Sequence, residues 1–240
     1  MAFLEVENLA KSFGGLRAVD RLAFAVDEGE ILALIGPNGS GKSTSFNLIS
    51  GVIPPDMGFV RFRGEDITGF KAHRVCERGI GRTFQLTKPF IELQVIENVM
   101  VGRIYGRNPA RTLKQAREES KAFLDAVGLG GKEESIAGSL TLSERKRLEL
   151  ARALAGRPYL LLLDELMAGL NPTETLSAMR LVQTIRDSGI TVIMVEHILG
   201  VVQGISDRVI VINYGRKIAE GVAQEVFNNP QVIEAYLGKT

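Results

Sequence analysis

Nine residues, GPNGSGKST at positions 36–44, limit this chain more than any other feature. They match G-x-x-x-x-G-K-[ST] and lie between an apolar run, ILALI, and a segment that reads as a helix, SGKSTSFNLISG, which is where such a motif has to sit. Glycines let the backbone curl until its N–H groups converge on an anion. The N-terminus of the following helix adds a partial positive charge at the same place. Gly36, Pro37, Asn38, Gly39, Ser40, Gly41 and Thr44 are therefore candidates for wrapping a phosphate chain. Lys42 adds a full charge for the outer phosphates, and the Ser43 hydroxyl is placed for Mg²⁺.

A second half-site follows in YLLLLDE, residues 159–165. Its apolar run reads as a buried strand, and two carboxylates emerge at the C-terminal end, where α/β sheets bind ligands. Neighbouring side chains of a strand point to opposite faces. Asp164 is accordingly assigned to the Mg²⁺ shell and Glu165 to orienting or activating an attacking water.

The rest of the chain supplies a frame for these two loops. FLEVENL and MGFVRFRG alternate like strands, and RLAFAVDEGEILALIG reads as two strands around a Glu-Gly turn. Residues 71–88 look basic and irregular. Asn108-Pro109 has the form of a helix start, with Leu113, Ala116, Phe123 and Val127 on one face. The section from about 90 to 135 reads as an inserted helical lobe, extended to about 155 by the helix that follows. ITVIMVE and DRVIVIN are further strands, a helix spans 172–187, and NYG turns into RKIAEG and a short terminal helix. Apolar runs alternating with helices argue for a buried parallel sheet within one domain spanning 1–240.

Composition removes several classes of function. Lys plus Arg number 29 against 28 acids, so no charge excess argues for nucleic acid or an anionic surface as the main partner. Cys76 is the single cysteine, which excludes an internal disulfide, and it reads as an inert thiol. His73 matches no motif and reads as a surface residue. The start, MAFLEVENL, lacks the basic end and apolar run of a secretion signal. No apolar stretch approaches the roughly 18 residues of a spanning helix, so any membrane role is expected to come through another chain.

GPNGSGKST, the ELARAL run at 149–154 one short loop before LLLLDE, and VEH at 195–197 together resemble an ABC transporter ATP-binding subunit along nearly the whole chain. The resemblance implies a P-loop NTPase fold, a RecA-like core carrying an antiparallel β subdomain and a helical subdomain. It implies ATP and Mg²⁺ as ligands. It also implies that Gln85, in RTFQ, senses Mg²⁺ and the membrane subunit, that His197 contacts the γ-phosphate, and that Phe13, in KSFGG, stacks on adenine. The implied partners are integral membrane permease subunits, a second ATP-binding subunit and, indirectly, a periplasmic or surface solute-binding protein. Gln85 and residues 71–88 are then expected to face the permease, with the chain on the cytoplasmic face of the membrane. AGLNP at 168–172 and ISDRVIVINYGRKIAEG further resemble uptake subunits for branched-chain or hydrophobic amino acids. Exporters of the lipopolysaccharide-transport type and non-transport ABC ATPases are the alternative readings.

One stretch departs from the resemblance. Counting back from ELARAL places Leu140 on the leucine of the signature LSGGQ, so Thr141 takes the serine position and Leu142 and Ser143 the two glycines. Thr141-x-x-Glu144 is still a capping box, so the helix is expected to open at Thr141 with its N–H groups aimed outward. Thr141 and Ser143 are thus expected to face the ATP held by another chain, whether a second copy or a different subunit. Leu142 adds bulk where a bare backbone would approach phosphate.

Overall fold

The computed structural model describes residues 2–85 and 88–237. The N-terminal alternating runs form β1 (Leu4–Phe13) and β2 (Leu16–Val26), a hairpin. β3 (Ile31–Ile35) then leaves for a second sheet and runs into the phosphate loop and α1 (Lys42–Ile49). The two strands flanking the Glu-Gly turn therefore belong to different sheets. β4 (Met57–Phe62) and β5 (Glu65–Asp66) return to the first sheet, whose antiparallel order is β2-β1-β4-β5.

Residues 71–88 are more regular than their composition suggests. They contain α2 (Ala72–Glu77) and β6 (Ile80–Arg82), while Leu86 and Thr87 lie outside the described residues. The helical lobe follows as α3 (Val95–Tyr105), α4 (Leu113–Ala126) and α5 (Leu142–Ala155). α4 does not start at Asn108-Pro109. Asn108 takes a left-handed φ of 53°, and the cap is Thr112, whose hydroxyl accepts from the Gln115 N–H at 3.1 Å. Leu113 consequently stays exposed, and Ala116, Ser120 and Leu124 make the buried face.

β7 (Leu160–Asp164), α6 (Pro172–Asp187), β8 (Thr191–Val195), α7 (Leu199–Ile205), β9 (Arg208–Asn213) and β10 (Arg216–Gly221) complete the second sheet. Its order is β10-β9-β3-β8-β7-β6, parallel except for the β9–β10 hairpin. The expected terminal helix is two, α8 (Ala223–Phe227) and α9 (Pro230–Leu237).

Both faces of this sheet are covered, which explains why its strands are apolar at successive positions. Alternate residues enter different cores. Leu161 and Leu163 of β7, with Ala33 of β3 and Met194 of β8, pack with the helical lobe and α6. Leu160, Leu162, Leu32 and Ile193 pack with α1 and the antiparallel sheet. The phosphate loop and the β7 carboxylates emerge from the shared C-terminal edge. Among the described residues no helix is long and apolar enough to cross a membrane.

Candidate active site

Gly36 and Gly41 are required where they stand. A Cβ on Gly36 would come within 2.0 Å of the Ile212 carbonyl oxygen, and one on Gly41 within 2.4 Å of that of Ala18. Gly41 also has φ 108°, strained for any side chain. The hairpin turn Tyr214-Gly215, both at positive φ, braces the loop from outside through the Gly215 N–H to the Ser40 carbonyl at 2.8 Å. α1 opens on Gly41 with no side-chain cap, so its first N–H groups are available to a ligand. Lys42 is buried, and its ammonium donates to the carbonyls of Gly36 and Pro37 at 2.8 and 2.9 Å. Burial pulls its pKa below the usual lysine value, against the opposing pull of Glu165 and Asp164.

These residues floor a cleft of about 460 Å³. Asn38, Gly39, Ser40, Gly41, Lys42, Ser43 and Thr44 line it, together with Phe13, Leu16, Arg17 and Tyr214. Gly36 and Pro37 sit beneath as acceptors for Lys42. Gln85, Glu165 and His197 also line the cleft, joined as a cluster. Glu165 Oε2 accepts from Gln85 Nε2 at 2.9 Å, and its Oε1 lies 2.7 Å from His197 Nε2. Three residues from distant parts of the chain thus meet at one carboxylate.

Asp164 and Glu165 part company for a different reason from the one expected. Asp164 ends β7 and is buried, whereas Glu165 lies beyond the strand at φ 52°. A left-handed turn, rather than strand alternation, swings the Glu165 carboxylate into the cleft. Asp164 Oδ2 pairs with Arg82 at 3.0 Å, and its Oδ1 is buried with no hydrogen-bond partner among the described residues. Burial raises the Asp164 pKa, with Arg82 pulling the other way. Thr141 caps α5 as expected, its hydroxyl accepting from Glu144 and the Glu144 carboxylate returning to the Thr141 N–H. Neither Thr141 nor Ser143 lines the cleft.

The fold recurs in known proteins. Residues 19–168 match the ABC transporter family, and residues 216–240 match the Branched-chain amino acid ATP-binding cassette transporter family. The high-affinity branched-chain amino acid transport ATP-binding protein BraF of Pseudomonas aeruginosa is 38% identical, covering 98% of each chain. The lipopolysaccharide export system ATP-binding protein LptB of Escherichia coli is 33% identical, over 100% of this chain and 98% of its own. A crystal structure of a nucleotide-free ATP-binding cassette from an ABC transporter superposes with a TM-score of 0.90 at 32% identity, covering all of both chains.

The chain belongs to the ABC transporter family. It is an ATPase. Against this ABC cassette, sequence reasoning missed Arg82, which joins the two halves of the site. Its guanidinium donates to Asn47 Oδ1 and Ser50 Oγ near the end of α1, and to Asp164 at the end of β7. The available signal was an arginine three residues before Gln85, at the end of the short strand Ile80–Arg82. Tyr214 and Arg17 were missed too, because only the folded hairpins bring them beside Phe13. Cys76 is half-buried with its thiol pushed up by burial, and His73 is exposed, as expected.

Proposed function

We propose that this chain powers uptake of branched-chain or other hydrophobic amino acids, docked as a peripheral subunit on integral permease subunits. The C-terminal match at 216–240 and the likeness to BraF support the substrate class. The observation that carries the hydrolytic reading is the Glu165 carboxylate held between Gln85 and His197 in the cleft that the phosphate loop lines. Glu165 takes the proton of the attacking water, His197 reads the γ-phosphate, and Phe13 offers its face to adenine.

Mg²⁺ fits the residues present. Asp164 Oδ1 is a buried, unpartnered hard oxygen, and the Ser43 hydroxyl and the Gln85 amide are of the same donor class. Among the described residues no three His, Cys, Asp or Glu side chains cluster into a metal cage. When bound, Mg²⁺ would neutralise charge on the outer phosphates.

A groove of about 320 Å³ beside Gln85 supports docking, with Val52, Phe84, Phe90 and Tyr105 exposed along it. Its character differs from the charge of the sequence. Arg74, Arg78 and Arg82 pair with Glu77, Glu65 and Asp164, leaving aromatic surface to meet a partner. Assembled in liposomes with the integral subunits that co-purify from its native membrane, the chain is expected to drive ATP-dependent accumulation of leucine, isoleucine or valine. Its segments 72–84 and 90–105 should gain protection from amide exchange. An assembled, ATP-hydrolysing complex that moves no hydrophobic amino acid overturns the substrate class, and unchanged exchange overturns the docking face.

The signature helix would face the ATP of a second chain, a different ATPase subunit with unaltered glycines. Leu142 is half exposed at the first position of α5, and its Cδ2 would lie 3.3 Å from a Cβ placed on Gly169. Leu142 thus packs beside Gly169 and adds apolar bulk at the position where the signature carries a glycine. A hydrogen bond to a charged group lost there costs about 1.5–3 kcal/mol. Replacing Leu142 and Ser143 by glycine is expected to speed hydrolysis by the isolated chain about tenfold or more. Fast, cooperative hydrolysis by the unmodified chain, unchanged in the double variant, contradicts this pairing.

A further inference from the structure

One face of α5 holds the backbone on both sides of the carboxylate cluster. Lys146 and Glu149, three residues apart and therefore neighbours on the helix, are both buried. The Lys146 ammonium donates to the carbonyls of Glu165 and Leu166, each at 2.9 Å. Glu149 Oε1 accepts from the N–H of Phe84, the residue before Gln85, at 2.9 Å. Glu196, the buried residue before His197, accepts from the Met167 N–H at 3.0 Å. All three members of the cluster are thus anchored at themselves or at a neighbour by this set.

Such a set is a poor source of stability. Burial lowers the Lys146 pKa and raises those of Glu149 and Glu196, the signature of charges that lose hydration. Well-packed apolar residues of similar volume commonly stabilise a core as well or better. What the ions supply instead is position. Glu165 sits at φ 52°, a conformation that a non-glycine residue keeps only when its surroundings enforce it. The Glu165 carbonyl, at the far side of that turn, is one of the two atoms that Lys146 holds.

We infer that Lys146 is a positioning residue for hydrolysis, fixing the left-handed turn that aims the Glu165 carboxylate between Gln85 and His197. The assignment rests on the reading of Glu165 as the hydrolytic base. It gives α5 a role inside this chain's own site, in addition to the N-terminus it would offer to a second chain.

Lys146→Met keeps an unbranched stem and removes the donors. Its ATP affinity, measured by calorimetry, is expected to stay within about twofold of the parent while kcat falls about ten- to a hundredfold. Lys146→Arg, which retains a cationic donor, should recover part of kcat. In a Glu165→Gln background, Lys146→Met should alter the residual rate by less than about twofold, because no base remains to be aimed. If Glu165→Gln turns over like the parent, the reading of Glu165 falls and this inference with it. If Glu165→Gln is inactive while Lys146→Met keeps full kcat, the inference alone is overturned. Weakened ATP binding, or an undiminished effect in the Glu165→Gln background, also overturns it by marking a general packing role. Should Lys146→Met fail to fold, Lys146→Leu, which likewise removes the donors, is read by the same criteria.

Discussion

Glu165→Gln is expected to bind ATP normally and to lose turnover by about a hundred- to ten-thousandfold, the usual contribution of a positioned general base. The substitution is close to isosteric. Gln85 Nε2 donates to Glu165 Oε2, and an amide oxygen at that position accepts equally well. On the other side, an amide N–H₂ can still face the His197 ring nitrogen if the ring presents its lone pair. The cluster should therefore survive while the basic carboxylate is gone. On the proposed pairing of two chains around ATP, the variant should also accumulate an ATP-bound pair. Single-turnover measurements decide the matter. A wild-type rate in this variant removes Glu165 from the chemistry.

Lys42→Ala is expected to weaken ATP binding by about a thousandfold or more. Each hydrogen bond between a charged donor and phosphate is worth about 1.5–3 kcal/mol, and the ammonium can make two or three. Stability should change little. The loop keeps its shape through the Ser40 N–H to the Pro37 carbonyl at 3.2 Å, and through the contact from Gly215. The bonds that Lys42 makes to Gly36 and Pro37 are offset in the variant by relief from burying an ammonium. Calorimetric titration with ATP, beside a thermal melt, tests both halves. Parental affinity contradicts the phosphate role, and a collapsed melting temperature shows that Lys42 is instead a structural clasp.

The parts of this molecule that were legible in sequence are those written in consecutive residues. The phosphate loop announces itself by glycine spacing, and α5 by Thr141 and Glu144 three apart. α6 was placed at its observed bounds, because Asn171 and Pro172 form a cap and first turn. Failures came where a local signal had a competing use. Asn108 is a good cap residue and a good left-handed residue, and here it takes the second role, leaving the cap to Thr112. The arginines of 71–88 disguised a helix and a strand: Arg74 pairs within its own helix with Glu77, while the partners of Arg78 and Arg82, Glu65 and Asp164, lie outside the segment. Lys146 was equally opaque. A lysine in the charged run SERKR reads as a solvated surface, and only the fold turns it inward against Glu165. Asp164 and Glu165 were assigned different roles, but the device that separates them is a turn no alternation pattern predicts.

The division of side chains across the central sheet bears on how such a protein can diverge. Leu161 and Leu163 answer to the helices, while Leu160 and Leu162 answer to α1 and the antiparallel sheet. Mutational drift at one set leaves the packing of the other largely undisturbed, since additivity holds for sites without shared partners. A lineage can therefore recut its helical side to suit a new membrane partner while inheriting its nucleotide side unchanged. Insertions within the strand carry no such licence. A single added residue in β7 would exchange the two sets and displace both carboxylates together. Descendants of this chain should accordingly vary by substitution in that strand and by length only in the loops around it.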